Sequence, residues 1–127
     1  MTLSVSGVSG QVVGFGGRIM PGQDGPKYRN TGQTPLYDKS KVLYGLNWAK
    51  SDVVKAEEVI ICEGYTDVIG FADVGVPRAV ATCGTSLTED HVRTLKRFAR
   101  RLVLAFDPDA AGAAAAERVY AWEQAHE

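Results

Sequence analysis

Acidic side chains follow two short apolar runs in the second half of this sequence. Glu63 comes directly after the run at residues 59–62, and Asp107 and Asp109 follow the run at residues 102–106. Alternate residues of an extended segment share a face, so both aspartates can point the same way. Crowded carboxylates repel each other unless a cation neutralises them, and a set of oxygen ligands favours Mg²⁺ or Mn²⁺. Glu63, Asp107 and Asp109 are therefore candidate catalytic metal ligands.

Each acid also has an interpretation without metal chemistry. Glu63 alone would be a surface acid that follows a strand. Asp107 and Asp109 would lie at the N-terminus of a helix, where carboxylates cap the first turn and interact favourably with the helix dipole. We interpret Asp67 as an acid in the first turn of a helix and not as a metal ligand. The metal interpretation depends on the combination of acids at the ends of predicted strands.

A glycine and hydroxyl turn, Gly84-Thr85-Ser86, follows a third apolar run at residues 79–82. Ligands of open parallel sheets bind beyond the carboxyl ends of the strands. The turn is therefore a candidate loop for contact with a nucleotide or nucleic acid. The alternative is a simple turn followed by a helix cap at Ser86 or Thr88.

The elements that must position these residues alternate between strand and helix. The three apolar runs predict short strands buried on both faces. Helices are predicted at residues 66–74, from Ser86 or Thr88 to about Arg100, and beyond Asp109. This order implies right-handed crossovers and a parallel sheet, so the predicted fold class is α/β.

The first fifty residues have a different character. Residues 1–35 are rich in glycine, proline and polar residues, which predicts turns and short strands, with one glycine-interrupted strand at 11–20. Residues 36–50 predict a short helix whose apolar face includes Trp48. We therefore expect a small mixed subdomain at 1–50 and an α/β domain at 51–127.

Charge is unevenly distributed although the net charge is only −1. Residues 11–50 contain six Lys or Arg and two Asp, whereas residues 51–127 contain eight Lys or Arg and thirteen acids. This pattern suits a polyanion held by the first part and metal ions held by the second, with ordinary surface charge as the alternative. A basic run at residues 93–101 is interpreted as a solvated helix face.

Several protein classes are disfavoured. Cys62 and Cys83 end apolar runs without zinc-ligand spacing, so we expect two buried thiols. There is no G-x-S-x-G elbow for a serine hydrolase and no G-K-[ST] for a P-loop. No apolar run is long enough to cross a membrane, and the uncharged N-terminus does not resemble a secretory signal, so we expect a cytoplasmic protein without membrane contact.

Three motifs in the second half resemble the Toprim domain family, namely EGYTDV at residues 63–68, GTS at 84–86 and FDPDAAG at 106–112. In that family the glutamate and the two aspartates form the acidic metal cluster, which here corresponds to Glu63, Asp107 and Asp109. Pro108 stands where the family commonly has glycine, and it leaves both carboxylates in place. The family's last acidic motif is expected beyond this sequence.

Three upstream motifs resemble the polymerase core of bacterial DnaG-type primases. They are GFGGR at residues 14–18, PKYRN at 26–30 and LYGL at 43–46, in that order. The resemblance implies a basic track for template and nucleotides. The corresponding residues are Arg18, Lys27, Tyr28 and Asn30, with Lys39 and Lys41 as further candidates.

The resemblance implies a nucleotidyltransferase that makes short RNA primers on DNA with Mg²⁺ or Mn²⁺. Its expected partners are a single-stranded DNA template, ribonucleoside triphosphates and the RNA primer, while the replicative helicase would bind only through regions outside this sequence. Two alternatives stay open: a Toprim enzyme that cleaves phosphodiesters, and a non-catalytic fragment that binds metal and nucleic acid.

Overall fold

The computed structural model describes residues 1–125, which contain two three-stranded sheets and four helices. The first sheet is antiparallel and consists of β1 (Thr2–Ser6), β2 (Val12–Arg18) and β3 (Tyr28–Asn30). The second sheet is parallel and consists of β4 (Glu58–Cys62), β5 (Ala79–Ala81) and β6 (Arg101–Leu104). The helices are α1 (Leu46–Ala56), α2 (Tyr65–Asp73), α3 (Glu89–Lys96) and α4 (Ala110–Ala125).

Strand β4 lies at the centre of the parallel sheet, between β5 and β6, and all its residues are buried. Val59 and Ile61 pack in one apolar cluster with α1, α3 and α4, while Ile60 and Cys62 pack in a second cluster on the opposite face. This second cluster includes Val5 of β1, so the antiparallel sheet packs on the parallel one. The predicted α/β fold with a preceding strand-rich subdomain is confirmed.

Strand β6 corrects the prediction of a third strand buried on both faces. Leu102 and Leu104 pack against the first apolar cluster, whereas Val103 on the opposite side is 37% exposed. Val103 is not part of the second apolar cluster, so the layer that covers the opposite face of β4 does not extend over this edge strand.

A helix was predicted at residues 36–50. The observed helix α1 begins only at Leu46 and continues to Ala56. The amide of Tyr44 donates a hydrogen bond to the carbonyl of Ala81 (2.8 Å), which extends the chain beside β5. Gly45 then adopts a positive φ of 87° immediately before the helix. Trp48 is 60% exposed and is not part of the buried face, contrary to the prediction.

Helix α3 is shorter than predicted and ends at Lys96. The amides of Arg100 and Arg101 both donate to the carbonyl of Glu57 at 3.1 Å, which directs the chain into β6. At the other end of the helix, the side chain of Thr88 accepts an amide hydrogen bond and caps the first turn, as one of the two predicted caps.

The predicted boundary between residues 50 and 51 falls inside α1, and the division into two domains stays a prediction. Residues 126–127 of the predicted second domain lie outside the described residues. In the described part of the chain, no helix is both long enough and apolar enough to span a membrane.

His91 connects the turn at residues 38–41 to the start of α3 through hydrogen bonds of its ring. It is fully buried, its Nε2 lies 3.0 Å from the carbonyl oxygen of Lys39, and its Nδ1 accepts a hydrogen bond from the amide of Thr88 at 3.1 Å. The hydroxyl of Thr88 in turn donates to the carbonyl of Ser40 at 2.5 Å. The two ring contacts require a neutral imidazole that carries its proton on Nε2.

We expect acid to destabilise the fold through His91. Burial lowers the pKa of His91 below its ordinary value of 6.5, so the unfolded chain takes up this proton before the folded chain does. The stabilisation is therefore present above pH 6.5 and decreases as the pH falls below it. Thermal unfolding between pH 7.5 and 5.5 should show a lower midpoint at acid pH in the wild type and a flatter dependence in His91→Gln. Equal slopes in the two proteins would contradict the neutral assignment.

Candidate functional site

A cavity of about 590 Å³ lies beyond the carboxyl ends of β4, β5 and β6, where it is also bordered by β3 and α4. It brings together segments that are far apart in the sequence, including the basic stretch that precedes β3 and the acidic loops that follow β4 and β6. Eight residues predicted from the sequence line it, namely Lys27, Tyr28, Asn30, Glu63, Gly84, Thr85, Ser86 and Asp107.

The acidic side of the cavity is built from the neighbouring strands β4 and β6. Glu63 follows β4, and its carboxylate Oε1 accepts a hydrogen bond from the amide of Asp107 at 3.0 Å. This bond holds the loop after β6 against the loop after β4. Both side chains are exposed to solvent and border the cavity, so their carboxylate oxygens are accessible to a ligand.

Asp109 has a different position from the other two acids. Its carboxylate Oδ1 accepts a hydrogen bond from the amide of Gly112 at 2.8 Å, in the first turn of α4, and it does not line the cavity. Among residues 1–125, no three His, Cys, Asp or Glu side chains converge in an arrangement that could hold a metal ion. Glu63 and Asp107 are thus brought together, while Asp109 acts as a helix cap.

The close packing of α4 against the Asp107 loop requires glycine at position 112. A Cβ atom there would lie 2.2 Å from the carbonyl oxygen of Asp107, which is far inside van der Waals contact. The main chain of α4 therefore approaches the acidic loop as closely as a glycine allows. Gly112, which belongs to the FDPDAAG motif, thus lets the Asp107 loop pack directly against the helix.

The loop after β5 is held in an unusual backbone conformation. Cys83 and Gly84 have positive φ angles of 53° and 83°, and the amide of Cys83 donates to the carbonyl of Glu63 at 3.1 Å. These features place Thr85 and Ser86 beside the acidic loop. Cys62 and Cys83 are free and buried, as predicted, and burial raises the pKa of each thiol to about 12, so neither is a thiolate nucleophile at neutral pH.

Tyr28 anchors the basic side of the site. The guanidinium carbon of Arg18 lies 5.4 Å from the centre of its ring, and the ammonium of Lys27 lies 5.9 Å from it, both within cation–π range. Lys27 and Tyr28 line the cavity, and Arg18 extends the positive surface beyond its rim. Arg18 and Lys27, two of the residues implied by the resemblance, are therefore grouped around the ring of Tyr28, which is a third.

Two predicted lysines lie away from the cavity. Lys41 is 3.9 Å from the carboxylate of Asp38, and the main chain of Lys39 is held by His91. Neither lysine lines the cavity in the described structure. The basic run of α3 is also separate from it, with Arg93 paired to Asp90 at 2.9 Å.

Sequence reasoning missed two residues of the site. Tyr65 borders the cavity, and its hydroxyl donates to the amide oxygen of Asn30. Arg118 projects from α4, on the same side as Ala111 and Ala115, which also line the cavity. The spacing of these three residues, i, i+4 and i+7, could have predicted that they share one face of the helix. Asp67 also lines the cavity, and it accepts from the amide of Gly64 at 3.2 Å as the first-turn acid that was predicted.

Comparison with known families agrees with this geometry. The Toprim domain family matches residues 57–126, which is more than half of the chain. This chain belongs to the Toprim domain family. Residues 1–50 match the N-terminal domain of the DNA primase catalytic core, so the expected resemblance to a primase-type core is confirmed.

Relatives of this Toprim chain are DNA primases. That of Streptomyces coelicolor is 45% identical over 123 residues, which cover 92% of this chain and 19% of the relative. The chain thus spans about a fifth of the length of this curated relative.

Solved structures show the same architecture. The RNA polymerase domain of Mycobacterium tuberculosis primase DnaG has a TM-score of 0.85 and 39% identity, covering 97% of this chain and 43% of that domain's chain. A DnaG primase catalytic domain bound to single-stranded DNA has a TM-score of 0.83 and 38% identity, with coverages of 93% and 37%. The similarity includes both sheets, since nearly the whole chain is covered.

Gly112→Ala should destabilise the chain, because its methyl group must displace the Asp107 loop. We expect a loss of about 1–3 kcal/mol in the free energy of unfolding. Gly70→Ala is the matched control, since Gly70 lies in α2 with open space around its Cβ position. This control should gain up to about 1 kcal/mol from helix propensity. Urea unfolding measures both, and an unchanged stability of Gly112→Ala would contradict the steric argument.

Proposed function

We propose that this chain forms the nucleotide- and template-binding centre of a DNA primase, a nucleotidyltransferase that synthesises RNA primers on DNA. The observation that carries the proposal is one cavity shared by Lys27 and Tyr28 with the acids Glu63 and Asp107. A cationic surface across the cavity from two carboxylates suits a nucleoside triphosphate or a nucleic acid backbone that is held together with a divalent cation.

The basic residues would bind phosphate oxygens. Lys27 on the β3 side and Arg118 on the α4 side both border the cavity, so a polyphosphate within it meets cations from two directions. In the described chain, no ion pair within 4.0 Å engages either side chain. Charge-assisted contacts of this kind hold phosphates without regard to base sequence.

The acidic residues fit a hard divalent cation. Glu63 and Asp107 present carboxylate oxygens at the cavity, and oxygen donors are the preferred ligands of Mg²⁺ and Mn²⁺. Asp109 would have to exchange its contact with the amide of Gly112 for the ion in order to join them. A cation bound by these residues would neutralise phosphate charge and favour the ionised form of an attacking hydroxyl.

In the proposed reaction a primer 3′-hydroxyl attacks the α-phosphate of a ribonucleotide, and pyrophosphate leaves. The template would be single-stranded DNA, the ligand of one similar catalytic domain. Residues of this chain position the phosphates, and the complete activity is assigned to the longer protein to which such a core belongs. Binding of a replicative helicase is likewise assigned to other regions of that protein.

Removal of the Asp107 charge should weaken cation binding. Asp107→Asn deletes one full charge beside the proposed ion, which lowers the affinity for Mn²⁺ at least about tenfold. Asp109→Asn tests the other acid without loss of the helix cap, because asparagine caps as well as aspartate. Titration calorimetry gives the affinities, and thermal unfolding checks the fold.

The outcome also separates two roles of Asp109. If it is only a cap, Asp109→Asn binds Mn²⁺ like the wild type, while Asp109→Ala unfolds at a lower temperature. If it becomes a ligand, Asp109→Asn loses affinity with little loss of stability. Unchanged binding in Asp107→Asn would contradict the proposed metal site.

Lys27→Gln should weaken the binding of a single-stranded oligonucleotide and reduce its dependence on salt. Each phosphate contact contributes about 0.7 to the slope of log affinity against log salt concentration for single strands. We expect the slope to decrease by roughly that amount, as measured by fluorescence anisotropy. Lys55→Gln, in the last turn of α1 and away from the cavity, is the charge-matched control. Equal slopes for the two variants would contradict a phosphate contact by Lys27.

A second candidate function is a core that binds cations and nucleic acid without catalysing transfer. The helix-cap contact of Asp109 favours it, since only Glu63 and Asp107 are brought together. Binding of Mn²⁺ and of an oligonucleotide, without ribonucleotide incorporation when the other regions of the longer protein are supplied, would support this alternative. The match of residues 1–50 to a primase domain gives no support to a phosphodiester-cleaving enzyme.

A further inference from the structure

The side chain of Asn30 is held from two directions by residues of the Toprim part. The hydroxyl of Tyr65 donates to its Oδ1, and its Nδ2 donates to the main-chain carbonyl of Cys83 at 3.2 Å. Tyr65 is the first residue of α2 and Cys83 belongs to the loop after β5. Asn30 therefore joins the end of β3 to both loops at the edge of the parallel sheet.

Two glycines make room for this junction. A Cβ atom on Gly16 of β2 would lie 2.1 Å from the hydroxyl oxygen of Tyr65. A Cβ atom on Gly84 would lie 2.9 Å from Nδ2 of Asn30. The phenol and the amide thus meet in a space that larger residues at either position would fill.

The two hydrogen bonds determine which way the amide points. A flipped amide would place Oδ1 against the carbonyl oxygen of Cys83, so that two acceptors would face each other. In the observed orientation, Oδ1 is satisfied by Tyr65, and one N–H of Nδ2 is used by Cys83. The second N–H of Nδ2 is left for the cavity, which Asn30 lines.

The phenol is well suited to act as a fixed donor. Tyr65 is 3% exposed, and its ring packs edge-on against that of Tyr44 with 4.9 Å between the ring centres. Burial also raises the pKa of the Tyr65 hydroxyl, so it stays protonated at neutral pH. The hydroxyl is therefore a buried, protonated donor whose hydrogen is accepted by Oδ1 of Asn30.

We propose that Tyr65 is a positioning residue that orients Asn30 to present an N–H donor to an oxygen of the bound nucleotide, either a phosphate or a sugar hydroxyl oxygen. The inference depends on the proposed nucleotide-binding function of the cavity. It adds a residue that does not itself touch the ligand and acts through the Asn30 amide. Tyr65 lies two positions after Glu63, so the segment after β4 carries both the acid and the phenol that orients Asn30.

Tyr65→Phe removes the hydroxyl and keeps the ring. We expect the affinity for ATP with Mn²⁺ to decrease about threefold to tenfold, as for the loss of one hydrogen bond. Binding of Mn²⁺ alone should stay at the wild-type value. Tyr44→Phe is the matched control, since it removes a hydroxyl from the neighbouring buried ring and should leave ATP affinity unchanged. An equal loss in both variants would indicate a general packing effect and overturn the proposal.

A double-mutant cycle with Asn30→Ala tests whether Tyr65 acts through the amide. In the Asn30→Ala background, Tyr65→Phe should have no further effect on ATP affinity. A similar loss in both backgrounds would overturn the positioning role.

The side-chain NH₂ signals of Asn30 provide a readout that needs no nucleotide. They are assigned in a ¹⁵N spectrum by their absence in Asn30→Ala. We expect them to shift and to exchange faster with water in Tyr65→Phe, and unchanged signals would overturn the proposal. If wild-type protein binds no ATP, the proposed function fails, and these signals then decide the positioning role independently.

Discussion

The burial of β4 on both faces is the constraint on which the rest of the structure depends. A strand without a polar face must be covered by two apolar layers, and its main chain must be paired on both sides. The helices α1, α3 and α4 supply one layer, and α2 with the antiparallel sheet supplies the other. Pairing with β5 and β6 then brings the loops after all three strands to one edge. The cavity exists because these loops and β3 meet there.

The site is held together mainly by contacts between main chain and side chain, which leaves its charged groups accessible. Glu63 accepts from the amide of Asp107, Asn30 donates to the carbonyl of Cys83, and Gly112 lets α4 approach the Asp107 loop. None of these contacts pairs an acid of the site with a base. Positive and negative side chains therefore face the same space without neutralising each other, which suits a ligand that carries both phosphates and a divalent cation.

Most of the fold and much of the site follow from local sequence patterns, and the exceptions have tertiary causes. The short, uninterrupted apolar run before Glu63 predicts the buried strand β4, because its apolar residues do not alternate with polar ones at the spacing of an amphipathic helix. The late start of α1 was missed because Tyr44 pairs with Ala81, a residue distant in the sequence. Two interpretations of Asp109 stayed open because the same pattern predicts a metal ligand and a helix cap, and the contact with the amide of Gly112 is what the structure adds. Tyr65 was missed because its partner Asn30 lies on the other sheet.

Paramagnetic broadening of amide signals by Mn²⁺ in the ¹⁵N spectrum of the chain tests whether the acidic loops after β4 and β6 and the basic end of β3 form one ligand site. Substoichiometric Mn²⁺ with ATP should broaden the amides of Glu63 and Asp107 most strongly and those of Lys27 and Asn30 across the cavity less, because the effect falls steeply with distance from the ion. Broadening centred on acids outside the cavity, or none at the end of β3 when ATP is present, would contradict the account.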